Sequence, residues 1–181
     1  MSSSSSSSSS SATTLSQYLS FFLEDEEYAL GILQVKEIIE YSAVTRIPGA
    51  PPWLRGVTNL RGSVLPVVDL AVKLGLPPGK VSRRACIVVV EGVLRGEKIV
   101  MGLLIDTIGQ VLDFTPEELE PLPAFGTPIP IDFLTGMGRV GSKFVLLLDI
   151  GRILGSQELQ VAEALRTTDP AFERLSKRGL P

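Results

Sequence analysis

The sequence predicts a mainly β protein of two similar barrel-like lobes, with short helices between strands and one helix near the C-terminus. Two observations carry that prediction. Most of the middle of the chain is short apolar runs separated by glycine, proline and charge, a pattern of strands and turns rather than of parallel sheet. The chain also echoes itself. Moved forward eighty positions, Leu54 falls on Leu134, Gly56 on Gly136, Asp69 on Asp149, Leu70 on Ile150 and Gly75 on Gly155, with no gap. A weaker echo relates Ala29-Leu-Gly-Ile-Leu33 to Val100-Met-Gly-Leu-Leu104. Two copies at this period are too few and too long for a solenoid, so the echo reads as two lobes, each ending in the same strand-to-short-helix unit. What recurs reads as scaffold. Arg61 and Pro66 do not recur, and what differs reads as recognition.

Each element follows from local chemistry. Residues 1–14, dominated by an unbroken serine run, can bury nothing and read as a disordered tail or an artefact of the recorded sequence. Residues 17–23 form a strand, the acidic residues 24–27 a turn, and 28–33 the returning partner. Val35, Ile38 and Ile39 have helical spacing and predict a helical turn. Residues 44–47 are extended; Pro48, Pro51 and Pro52 then forbid regular structure, and Pro52 or Trp53 begins a short helical turn. Residues 59–62 are a tight hairpin turn, and 63–68 a strand in which Pro66 implies an edge or a bulge. Asp69 caps a short helix that Gly75 stops.

The second half repeats the plan. Residues 85–90 pair with 98–106 across a turn at 92–97, and 108–114 form a strand. Thr115-Pro-Glu-Glu118 fits a capping box with proline at the first helical position. A proline-rich crossing segment spans 121–130, and 133–137 with 143–148 complete the lobe. Leu159, Ala162 and Leu165 have near-helical spacing, and Asp169-Pro170 ends that helix. The expected organisation is one domain over 15–155, with lobe one at about 17–80, lobe two at about 84–150 and an exchange of strands between them allowed, followed by a C-terminal helix and frayed tail at 156–181.

Composition excludes several functions. The 181 residues are 44% hydrophobic and 20% charged, ordinary for a soluble globular chain, and the net charge of -3 argues against a nucleic-acid footprint. No apolar stretch approaches the roughly 20 residues that span a bilayer. The single cysteine, Cys86, cannot form a disulfide within the chain and reads as a small buried strand residue. There is no histidine, which removes the commonest general base, the Ser-His and Cys-His pairs and histidine metal ligands. Gly136-Met-Gly-Arg-Val-Gly141 has the letters of a dinucleotide loop but is followed by a strand, not by the helix whose N-terminus would meet phosphate. Asp69 and Asp149 resemble a carboxylate pair, yet their equivalent places in the repeat explain both as helix caps. No catalytic residue, metal or cofactor is expected. Trp53 reads as packing over a lobe, with partner contact as its other role. Arg61 sits at a hairpin tip, where arginine's rigid fork suits recognition.

Three motifs, correctly spaced, carry a family resemblance. They are Val44-Thr-Arg-Ile-Pro-Gly, then Gly56-Val-Thr-Asn-Leu-Arg-Gly62 followed by Leu65-Pro-Val-Val-Asp-Leu70, and Leu134-Thr-Gly-Met-Gly138. The chain resembles the CheW family of chemotaxis adaptor proteins over about 17–154. The resemblance implies two five-stranded SH3/OB-like β-barrels around a shared core, and no enzyme activity. It implies a cytoplasmic adaptor that couples the tips of methyl-accepting chemoreceptors to the regulatory domain of a CheA-type histidine kinase, at the inner face of the membrane, with other CheW-like domains as further partners in rings. Val35, Glu37, Gly56 and Arg61 match positions that bind kinase or receptor in that family. A CheA kinase has an ATP-binding domain and a phosphorylated histidine, and a CheV-type protein adds a receiver domain; this chain has none of these. The alternative from another class is an OB-type barrel for small ligands or oligonucleotides, but such sites need aromatic platforms and basic grooves, and only 6% of residues are aromatic here.

Overall fold

The structure is a computed structural model and describes residues 15–78, 81–122 and 131–167. The serine run and the residues beyond 167 lie outside these, as does most of the proline-rich crossing segment. The strands are β1 (Ser16–Leu23), β2 (Glu26–Gly31), β3 (Val35–Glu40), β4 (Leu54–Leu60), β5 (Ser63–Asp69), β6 (Cys86–Leu94), β7 (Glu97–Ile105), β8 (Thr107–Phe114), β9 (Leu119–Glu120), β10 (Leu134–Val140) and β11 (Lys143–Leu148). The helices are α1 (Leu70–Lys73), α2 (Ile150–Ile153) and α3 (Ser156–Thr167). The protein is mainly β, with two similar lobes, as expected.

The strands form a five-stranded sheet in the order β3-β6-β7-β5-β4 and a six-stranded sheet in the order β8-β1-β2-β11-β10-β9. Neither is a closed barrel among the described residues, because no ladder joins the two outer strands of either sheet. Instead the β3–β4 connection turns back onto β4 through a single bridge, Thr45 to Val57. The hairpin β1–β2 pairs with β11, and β6–β7 pairs with β5, both in parallel. The contiguous halves 17–80 and 84–150 therefore trade hairpins. The exchange follows from length: the 3-10 turn Ile32–Gln34 is all that links β2 to β3, so the chain crosses to the other sheet at once.

The eighty-residue echo is structural. Leu54 pairs with Val68 and Leu134 with Leu148, each with a bulge before the following glycine. The Asp69 amide donates to the Trp53 carbonyl at 2.7 Å, and Asp149 to Phe133 at 2.8 Å. Val57 bridges Thr45 and its counterpart Met137 pairs with Glu120, so β9 plays in one lobe the part of Thr45 in the other. The weaker echo holds too: Tyr18 faces Gly31 in one hairpin as Val89 faces Gly102 in the other.

Burial explains the long apolar runs. Alternate residues of β6 face different cores: Ile87 and Val89 fill the interior of their own lobe, while Val88 and Val90 join a cluster shared with Leu19, Phe21 and Leu30 of the other sheet. A strand buried on both faces has no polar alternation to display. Ala29, Phe114 and Leu147 belong to the interior of the second lobe.

Several elements differ from expectation. Val35, Ile38 and Ile39 lie on a strand, not a helical turn, because Ile38 and Ile39 pair with Val88 and Ile87; six residues are too few for spacing to separate the two periods, and cross-strand partners decide. At Pro52 and Trp53 the helical turn reduces to one turn closed by Leu54 N–H to the Pro51 carbonyl at 3.0 Å. The β6–β7 turn is only Arg95-Gly96, with φ of 51° and 80°. Gly92 stays in the strand, paired with Ile99, and its missing Cβ leaves room for Leu159 of α3, which a Cβ would approach to 2.8 Å. Pro66 sits in an interior strand, but β5 begins its ladder with β7 only at Val67, so the missing N–H costs no bond there.

Candidate functional site

Arg61 and Gly62 are the two central residues of the β4–β5 hairpin, with φ of 53° and 86°, the left-handed pair that a two-residue turn matching strand twist requires. Asn59 steadies the turn by accepting the Gly62 N–H at 2.9 Å. The Arg61 fork reaches back across the lobe to Glu37 of β3, donating from its two terminal nitrogens at 2.7 and 2.6 Å. The arginine side chain is 70% exposed and the glutamate 27%. The hydrogen bonds from Arg61, reinforced by its charge, hold the Glu37 carboxyl below its ordinary value, and the same contact raises Arg61. The pair borders a groove at the mouth of the lobe, floored by Leu60, Val64, Val89 and Val100 and edged by Lys36 and Lys98. Lys36 in turn meets Glu91 at 3.3 Å.

Val35 is two residues from Glu37 but does not share its face. A bulge separates them, so Val35 pairs with Val90 while Glu37 pairs with Val89. Val35 accordingly packs, half-buried, against the shared core. Gly56 is buried and has φ of 149°; a Cβ there would lie 2.2 Å from the Thr45 carbonyl oxygen. Its contribution is to let the β3–β4 connection close on β4, a closure continued by the Thr58 hydroxyl donating to the Ala43 carbonyl at 2.8 Å. Gly136 does the same against Glu120 in the other lobe, where a Cβ would come within 2.9 Å. Trp53 is 9% exposed and belongs to the shared core, with the Lys73 ammonium 5.3 Å above its ring. The structure thus brings Glu37 and Arg61 together, sets Val35 on the opposite face, and places Gly56 and Trp53 beneath the surface.

A second groove runs between the lobes, where the end of β6 meets α2 and α3. Gln34, Val93, Leu94, Ile150, Leu154 and Leu159 line it. Val93 is 64% exposed, and Leu33, beside Gln34, is 97% exposed. Sequence reasoning missed both apolar residues, since a single Leu or Val in a strand or turn carries no signal of exposure. It also missed the ion pairs behind the site. Asp69, 3% exposed, accepts from Arg55 at 3.0 Å while capping α1 through the Val72 N–H at 3.5 Å. Asp149 makes no such cap bond and meets Arg152 at 3.6 Å.

Near these grooves Glu37 is paired with Arg61 and Lys36 with Glu91. Among the described residues no group of three or more His, Cys, Asp or Glu side chains could hold a metal ion, and no helix is long and apolar enough to cross a membrane.

A family model for the CheW-like domain matches residues 17–158. The chain is 35% identical over 147 residues to the chemotaxis protein CheW of Klebsiella aerogenes, covering 81% of this chain and 86% of that protein. It is 26% identical over 149 residues to chemotaxis protein CheV3 of Helicobacter pylori, of which the match covers only 47%. Among solved structures, the scaffolding protein TtCheW of Thermoanaerobacter tengcongensis aligns with a TM-score of 0.69 at 28% identity, covering 80% of this chain and 91% of that one. Motif spacing, paired lobes and these matches agree: the chain belongs to the CheW-like domain family of chemotaxis scaffold proteins.

Proposed function

We propose that the chain is a non-catalytic adaptor that couples the cytoplasmic tips of chemoreceptors to a CheA-type histidine kinase at the inner face of the membrane. Membership of the CheW-like family supports this reading, as does a surface whose grooves are apolar at the floor and charged at the rim. The single observation that carries it is the Arg61–Glu37 pair: an exposed bidentate fork beside an apolar groove, built on a rigid hairpin. The kinase's regulatory domain is itself CheW-like, and two related lobed domains dock end to end, so the mouth carrying Arg61 and Glu37 is assigned to the kinase. Receptor tips are helical hairpins, and a helix seats its apolar face in a groove, so the inter-lobe groove, with Val35 on its side of β3, is assigned to the receptor. Gly56 supports the first site through its backbone, and Trp53 supports both from the core.

The test is Arg61→Glu. The fold should survive, because the side chain projects from a turn and packs little. Binding to the isolated kinase regulatory domain should weaken by about thirtyfold, the size of a hot-spot loss, while binding to a receptor-tip fragment stays within about twofold. Calorimetric titration against each fragment, with a melting curve alongside, reads the result. Undiminished affinity for the kinase domain defeats the assignment, and loss of folding returns Arg61 to a structural role.

A further inference from the structure

We propose that the Lys73–Glu158 ion pair, buried at the glutamate and largely covered at the lysine, is a latch that seats α3 in one register across the shared core, and that the inter-lobe groove keeps its apolar wall only while this latch is closed. The second half rests on the groove being the receptor seat proposed above. Lys73 ends α1 and Glu158 lies in the first turn of α3. Their side chains are in direct contact, 16% and 6% exposed, and the same ammonium stands over the Trp53 ring. A second pair, Arg95 to Glu163 at 3.1 Å, is more exposed at the rim.

Stability alone does not explain a charged pair in this place. Two charges taken out of water cost about as much solvation as their attraction returns, and apolar residues of similar size hold as well or better. What a buried pair adds is register. A helix docked through Leu159 and Ala162 alone can slide over an apolar surface, but a displaced Glu158 takes its buried carboxylate away from the largely covered ammonium. The register matters because Glu158 precedes Leu159. With the latch closed, Leu159 lies over Gly92, the one position in β6 that has no Cβ to obstruct it. Leu159 is also a wall of the groove, facing Gln34, Val93 and Leu154. The latch thereby ties that wall to α1, which follows directly from the β4–β5 hairpin carrying Arg61.

Two variants of the full chain test this: Glu158→Gln, which strands the ammonium, and Lys73→Met with Glu158→Leu, which removes both charges. Hydrogen exchange followed by peptide mass spectrometry reads the helix without any partner. In Glu158→Gln, exchange across 156–167 should accelerate by about tenfold or more while the centres of β6 and β7 keep their protection, as expected for local rather than global opening. Affinity for a receptor-tip hairpin fragment should fall by about tenfold, with affinity for the kinase regulatory domain unchanged. The double variant should restore helix protection, because apolar residues hold as well, yet leave receptor binding about tenfold weak, because no charge then fixes the register; full recovery of binding overturns the latch. Native exchange of α3 in Glu158→Gln overturns the latch, and so does exchange of helix and sheets accelerating together. A loosened helix with undiminished receptor binding overturns the wall. If the unaltered chain binds no receptor fragment, the adaptor reading and the wall fall together, and the exchange experiment alone decides the latch.

Discussion

Glu37 and Arg61 stand at hydrogen-bond distance on an open face, and that contact sets how the carboxyl titrates. Its pKa lies below the ordinary 4.5, first because of the hydrogen bonds from Arg61 and then because of its charge. A carboxyl depressed in the folded state contributes stability that is complete above its unfolded pKa and is lost as pH falls through the folded value. The site therefore keeps its ion pair to a lower pH than an unpaired glutamate would allow. Following the Glu37 side-chain carbon by NMR should give a midpoint below 4.5, and in Arg61→Gln the midpoint should move up towards that value. A midpoint indifferent to the substitution would remove Arg61 as the cause. Arg61 was legible in the sequence because it breaks the internal repeat at a turn. Glu37 was legible only through the family resemblance. Their pairing was legible through neither, since 24 residues separate them and spacing along a chain does not encode a contact across a curled sheet.

At the scale of elements, hairpins are the best-determined parts. Apolar runs around Arg61-Gly62 and Arg95-Gly96 specify the paired strands, and a left-handed pair closes each turn, although the second turn expected from sequence, at 92–97, is too wide. The connection from β3 to β4 is different: it has no ladder of its own and is held by the Thr45–Val57 bridge over Gly56. Its sequence shows prolines but not what fixes them. Gly56→Ala places a methyl 2.2 Å from a backbone oxygen at a φ that side chains avoid. The neighbour is backbone and cannot swing aside, so the connection must lift from β4. Urea unfolding should show a loss of about 3 kcal/mol. Gly62→Ala, whose Cβ meets nothing within 4 Å despite φ of 86°, should cost only about 1 kcal/mol. Equal costs at the two sites would mean that dihedral strain alone, and not the bridge, accounts for Gly56. The missed strand β3 belongs to the same lesson: its identity comes from β6 beside it rather than from its own six residues.

For the whole molecule, the echo revealed two lobes but not which hairpin each would take. Both β5 and β11 present an apolar edge to a parallel partner, and both β1–β2 and β6–β7 have the internal register to fill it. Only the short crossings decide, and those carry no periodic signal. The result binds the lobes more tightly than two adjacent domains, because one sheet is made from the contiguous segment 35–105 and the other from segments on either side of it. Their facing sides form one cluster in which Phe21, Leu30, Val88, Met101 and Leu103 are all fully buried. Neither lobe can open without uncovering the other. Met101→Ala should therefore cost about 2 to 4 kcal/mol, as a truncated core methionine does, and the loss should be felt by both sheets. In native-state hydrogen exchange the slowest amides of β1 and β2 should accelerate by the same factor as those of β6 and β7, and thermal unfolding should remain a single transition. If the β1–β2 amides kept their native protection while β6 and β7 loosened, the lobes would be energetically separate and the shared core only a contact between them.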